Sequence, residues 1–298
     1  MNLYRSIPAL KAPADRVIGL VEIVRRFAGS RRAMDDAVVE YLSDVSSASR
    51  RNLIRAYAVP TLSHLGLIEG RGGSLRCSPD GESLVHAAQQ GFDAALRRLG
   101  YLLHALDSNR GLQVLSELAD MGASEMPASS DALVSRLWAK HHAHLTEQGL
   151  TLAMLTDRLA KWLAYLEYIR FVDLRDARIT LNPAQIEASV AANRVEVADE
   201  LFRRLLLETY GELKRRAMGS AYVPIPDLRH HVAGHLLEQG MPISEAQFDD
   251  LLGGLPKLTE EYAILLSPPG RRSEGGIWVD KDYYYYVSIY PSKGEGDD

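Results

Sequence analysis

Two stretches of this chain close in the same way. Leu62–Pro79 reads LSHLGLIEGRGGSLRCSP, and Leu166–Pro183 reads LEYIRFVDLRDARITLNP. Each runs from an apolar helix end into a short β-favouring segment, a charged or glycine turn, a return segment and a proline. A ribbon of two short strands is not stable alone and must pack on the helix that feeds it. This order therefore predicts a mainly α chain that carries small β wings.

The first stretch is the richer one. Ser46 or Ser47 can cap a helix that runs to Leu65, accepting a bond from a free N–H of its first turn. Ile54, Ala58, Leu62 and Leu65 form its apolar stripe, and Pro60 removes one N–H and predicts a bend. Arg50, Arg51 and Arg55 fall in the first two turns, with Arg51 and Arg55 on one face. Leu67–Glu69 reads as a strand, Gly70–Gly73 as a turn and Ser74–Cys77 as the return. Upstream, Asp15–Ala28 reads as a helix ending at Gly29, and Met34–Leu42 as a second. Helix, helix, helix, ribbon is the order of a winged helix-turn-helix, and residues 1–90 resemble that superfamily.

The resemblance implies a role for particular residues. Arg50, Arg51, Asn52 and Arg55 would enter the major groove of double-stranded DNA, where Arg and Asn pair with guanine and adenine edges. Arg71 and Arg76, on the ribbon, would touch phosphate. The opposing reading pairs the helix arginines with Asp35, Asp36 or Asp44 as a solvated face.

The pattern is expected to recur as tandem winged-helix units. In 91–190, Phe92–Leu106 and Leu112–Met121 are helical by period, Gly122–Ser130 is a polar linker, and Asp131 opens a helix through His144. Asp157–Tyr168 follows with Thr156 as its cap, then strand Ile169–Asp173, turn Leu174–Asp176 and return Arg178–Leu181. In 191–298, Arg194–Met218 reads as one long connecting or partner-binding helix. Helices Pro226–Gln239 and Ser244–Leu255, strand Tyr262–Leu266, a loop and a hairpin over Gly276–Tyr290 complete a longer-winged copy. In that hairpin, alternation would send Tyr283 and Tyr285 to one face and Tyr284 and Tyr286 to the other.

Charge separates the copies. The chain of 298 residues carries a formal charge of −5, which argues against a generally sticky nucleic-acid binder. Residues 1–100 hold 14 Lys/Arg against 10 Asp/Glu, whereas 101–200 hold 9 against 14 and 201–298 hold 11 against 15. Only the first third is basic.

Chemistry-bearing patterns are sparse. Cys77 is the single cysteine, which excludes a disulfide framework and fits a reducing compartment. His231 and His235 have a metal-sharing spacing, but Val232 stands where a zinc protease needs Glu. His141, His142 and His144 lack a matching carboxylate or cysteine motif. No phosphate-cradling or nucleophile motif occurs, so no enzyme activity, cofactor or metal is expected. No leader segment or apolar span is read, and a soluble cytoplasmic protein is the expectation. Two functions remain. One is a non-enzymatic DNA-binding regulator or DNA-engaging subunit. The other is an interaction adaptor, alone or as a homodimer, in chromosome-organising, DNA-repair or phage-defence machinery.

Overall fold

The computed structural model describes residues 7, 9–44, 49, 52–70, 75–109, 113–147, 149–193, 195–217, 221–269, 275–279 and 282–292. Helix accounts for 62% and strand for 13%, so the chain is mainly α with small antiparallel sheets. Contacts divide it into two compact units, Met1–Arg194 and Val195–Asp298. Each unit has its own hydrophobic core.

The first unit opens with α1 (Val17–Arg26), which buries Val17, Leu20, Val21 and Val24, and α2 (Arg31–Leu42), which buries Met34, Val38 and Leu42. A π-helical turn, Leu53–Ala58, then continues into α3 (Val59–His64). Pro60, expected to interrupt the helix, follows closely on this π-helical turn. Proline has no N–H to return to the carbonyl four residues back, and the adjacent Val59 N–H donates to Ile54 O, five back. Thr61 Oγ1 accepts from both Lys11 N and Ala12 N at 3.1 Å, tying the leading segment to α3. The proposed caps Ser46 and Ser47 lie outside the described residues.

How α3 ends explains why a ribbon follows. Gly66 adopts φ 75°. Its N–H donates to Ser63 O at 3.1 Å, and that of Leu67 to Leu62 O at 2.9 Å, a Schellman closure that satisfies the last carbonyls and turns the chain away. Strands β1 (Ile68–Glu69) and β2 (Arg76–Cys77) pair with Ile68 opposite Cys77 and Glu69 opposite Arg76. Ser78 caps α4 (Pro79–Gln90), accepting from Gly81 N at 3.1 Å and donating to Gly66 O at 2.5 Å. Gly81 is required there, because a Cβ would sit 2.1 Å from Leu67 O.

Helices α5 (Phe92–Asn109) and α6 (Val114–Asp120) lead into a second helix-and-ribbon array. It comprises β3 (Ala128–Ser129), α7 (Ser130–Glu147), α8 (Leu152–Tyr168), β4 (Val172–Arg175) and β5 (Arg178–Leu181), closed by α9 (Pro183–Asn193). The sheet order is β3-β5-β4. The stretch expected as a polar linker thus carries a strand, and Ala123 inside it is fully buried, its carbonyl accepting from Leu181 N at 2.8 Å. Thr151, not Thr156, caps α8, accepting from Met154 N, while Thr156 Oγ1 bonds back to Leu152 O within the helix. The turn falls at Asp176 and Ala177, with φ of 50° and 57°, a two-residue hairpin, and β4 starts three residues later and ends two later than the expected strand. Pro183, expected to close the ribbon, is instead a first-turn residue of α9 behind the Asn182 cap, whose Oδ1 accepts from Gln185 N.

The second unit runs α10 (Asp199–Arg216), β6 (Val223–Pro224), α11 (Ile225–Glu238), α12 (Glu245–Gly254), β7 (Tyr262–Ser267), β8 (Ile277–Val279), β9 (Asp282–Tyr284) and β10 (Tyr286–Pro291). The long helix expected from Arg194 starts only at Asp199, after the extended Ala198. Ser244 caps α12 as expected, accepting from Gln247 N. The sheet order is β6-β10-β7, and β8 pairs with β9 in a separate hairpin. Helix, strand, helix, helix, strand, return strand, with the first strand beside the last, is therefore the order of α6–β5 and, apart from the inserted β8–β9 hairpin, of α10–β10. The hairpin expected over Gly276–Tyr290 is divided at Tyr285, whose N–H donates to Ser267 O and whose carbonyl accepts from Ile225 N. The tyrosine run consequently does not alternate in and out, and all four rings are half-buried.

Candidate nucleic-acid interface

The helical run before α3 sorts its residues cleanly. Leu53, Ile54 and Ala58 are buried, whereas Asn52 and Arg55 are exposed. These two polar side chains stand three apart at the start of the run, within or beside the π-helical turn, a distortion that recurs at functional sites. Asp44 is held by Arg16 at 2.5 Å and Asp35 by Arg31 at 2.8 Å. Among the described residues Arg55 forms no ion pair. Arg50, Arg51 and Arg71 lie outside the described residues.

Arg76 stands on the ribbon, in β2, and faces a carboxylate there. Its Nε donates to Glu69 Oε1 at 2.7 Å, across the ribbon from its register partner. The two side chains are 48% and 27% exposed, so the guanidinium meets solvent while sharing its charge with a carboxylate. The ribbon is anchored beneath by buried Leu75 and Cys77. Cys77 Sγ lies 3.6 Å from Val21 O, and burial pushes its thiol up to about 12, so Cys77 packs as an unreactive hydrophobe.

The corresponding helices of the other arrays carry no such residues. Along α8 the exposed positions include Leu152, Met154, Asp157, Ala160, Ala164 and Glu167. Lys161 pairs with Asp157 at 2.7 Å, and Arg158 turns inward to donate to Ile7 O. In the second unit, α12 presents Glu245, Asp249 and Asp250. The first two meet Arg229, a buried residue of α11 that donates to Asp249 at 2.6 and 3.1 Å and to Gly275 O at 3.0 Å. Arg229 thereby joins two helices to the base of the β8–β9 hairpin. A cation next to Leu228 on an apolar stripe was the available signal for it.

Two buried carboxylates also escaped the sequence reading. Glu117 on α6 accepts from Arg136 Nε at 2.6 Å and from Lys140. Asp107 on α5 accepts from Val114 N, Leu115 N and Trp162 Nε1, capping α6 from inside the core. Both serve the fold.

Between α1 and α2 a groove of about 690 Å³ is lined by Arg16, Glu22, Arg26, Glu40, Tyr41 and Asp44 among others. Its mixed charge does not suit a polyanion. His235 stands 3.7 Å from Glu238, and the rings of His230 and His231 meet edge to face. Among the described residues no three His, Cys, Asp or Glu side chains converge on a metal position. Nor is any described helix long and apolar enough to cross a membrane.

No protein-family model matches the chain. No curated protein matches it significantly.

Proposed function

We propose that the chain is a tandem winged-helix protein whose first array binds double-stranded DNA without catalysing a reaction, as a regulator or as the DNA-engaging subunit of a larger machine. The observation that carries this reading is the exposure of Asn52 and of Arg55, which forms no ion pair among the described residues, ahead of α3 and a ribbon that carries Arg76. Asn and Arg at the start of a helix are the side chains that make paired hydrogen bonds to adenine and guanine edges. The repeated sheet order in the two later arrays supports the winged-helix assignment. The test is duplex binding across a salt titration. Asn52→Ala and Arg55→Ala are each expected to weaken binding by about 1–3 kcal/mol. Unchanged affinity in the double variant at low salt would refute the reading.

A second reading has its own observation. The exposed face of α8 combines Leu152, Met154 and small residues with no unpaired cation, a composition suited to a protein surface rather than phosphate. On that reading the chain is an interaction adaptor or homodimer. Stoichiometric co-purification with one protein and no measurable DNA affinity at low salt would select it.

A further inference from the structure

We propose that Glu69 is a brake on the DNA affinity of the first ribbon, acting through Arg76. This inference rests on the DNA-binding reading of that ribbon. Glu69 and Arg76 are direct cross-strand partners, so backbone register places the two side chains next to each other on the ribbon. The pair is formed at 2.7 Å through Nε, on a guanidinium 48% exposed. Two consequences follow for a phosphate approaching Arg76. Its attraction is offset by a fixed negative charge one strand away, and full engagement competes with an ion pair already made.

The brake is also a discriminator. Phosphate contact supplies affinity that does not depend on sequence. A ribbon whose cation is half-neutralised adds little to non-specific binding, leaving selection to Asn52 and Arg55. Elsewhere in this unit, too, arginines are matched with carboxylates, as in Arg25 with Glu82 at 2.9 Å and Arg31 with Asp35 at 2.8 Å. Glu69 differs from those carboxylates in standing on the ribbon itself.

The experiment uses the full chain and a fluorescent random-sequence DNA duplex, with wild type, Glu69→Gln, Arg76→Ala, their double variant and Arg55→Ala titrated at several salt concentrations. Gln keeps an acceptor for Nε and removes only the charge. Glu69→Gln is expected to tighten binding about two- to fivefold and to steepen the salt dependence by up to about one counterion. That gain is expected to vanish in the Arg76→Ala background, as a coupled pair requires. An equal gain in both backgrounds would mean a bulk charge effect and would overturn the brake. So would unchanged or weaker binding by Glu69→Gln when Arg76→Ala or Arg55→Ala loses affinity. If Arg76→Ala and Arg55→Ala both leave binding unchanged, the DNA reading itself fails, a result distinct from failure of the brake alone. Thermal unfolding of each variant controls for folding at this exposed pair.

Discussion

Asp107 shows what one residue contributes when its neighbours are all donors. Its carboxylate replaces water for two backbone N–H groups of α6 and for the Trp162 indole. Burial still outweighs these bonds and pushes it from 3.8 up to about 6. The sign follows from proton binding. The folded state holds this proton more tightly than the unfolded chain, so Asp107 favours the fold most below about pH 4 and loses that contribution as pH rises through about 6. The difference reaches roughly 3 kcal/mol above that window. Asp107→Asn is expected to abolish this slope while keeping most of the packing, and urea unfolding of both proteins between pH 4 and 7 measures it. Parallel pH profiles for the two would show that Asp107 is not the titrating group. Nothing local marks this residue, since an Asp near a helix end ordinarily reads as solvated.

At the scale of elements, the two ribbons of the first unit are fed by the same helix terminus. After α3 the left-handed position is Gly66; after α8 it is Arg170, with φ 65°. Arg170 N donates to Glu167 O and Phe171 N to Leu166 O, both at 2.8 Å, repeating the closure of α3. A side chain in that conformation costs about 1 kcal/mol that glycine avoids. Gly66→Ala is therefore expected to destabilise the protein by about 1 kcal/mol and Arg170→Gly to stabilise it by about half that or more. Chemical denaturation of the two variants tests this, and a loss at both positions would rule it out. The equivalence was legible, because LSHLGLIE and LEYIRFVD align helix end on helix end. The exact strand limits were not, since Asp176–Ala177 is a turn only in the backbone conformation it adopts. Strand β3 was also missed. Two residues hold no period, and Ala128 becomes a strand residue only because Ile179 stands opposite it.

At the scale of the whole chain, each compact unit is closed by its own apolar contacts. In Val195–Asp298, Phe202 of α10 meets Phe248 of α12 edge to face at 5.5 Å. Arg229 ties α12 and the hairpin base to α11. Residues 195–298 expressed alone are expected to unfold in one cooperative transition, with a urea slope of about 1–2 kcal/mol/M. A gradual, non-cooperative loss of helix signal would show that the unit depends on the rest of the chain. The candidate interface belongs entirely to the other unit, so this fragment is also expected not to bind duplex DNA in the same salt titration.

The information legible in the amino-acid order is local. Periodicity, turn residues and proline placement specify a mainly α chain, the helix–ribbon order and the sites of α1, α2, α8 and α12, because these signals act within a few residues. They also marked Asn52 and Arg55 as polar positions on an otherwise buried helical run. Tertiary structure decided the rest. It paired Glu69 with Arg76, buried Arg229 and Asp107 among partners far along the chain, and split the tyrosine run between two sheets. Those outcomes depend on strand register and on which charges lose water together, and neither quantity exists until distant segments meet.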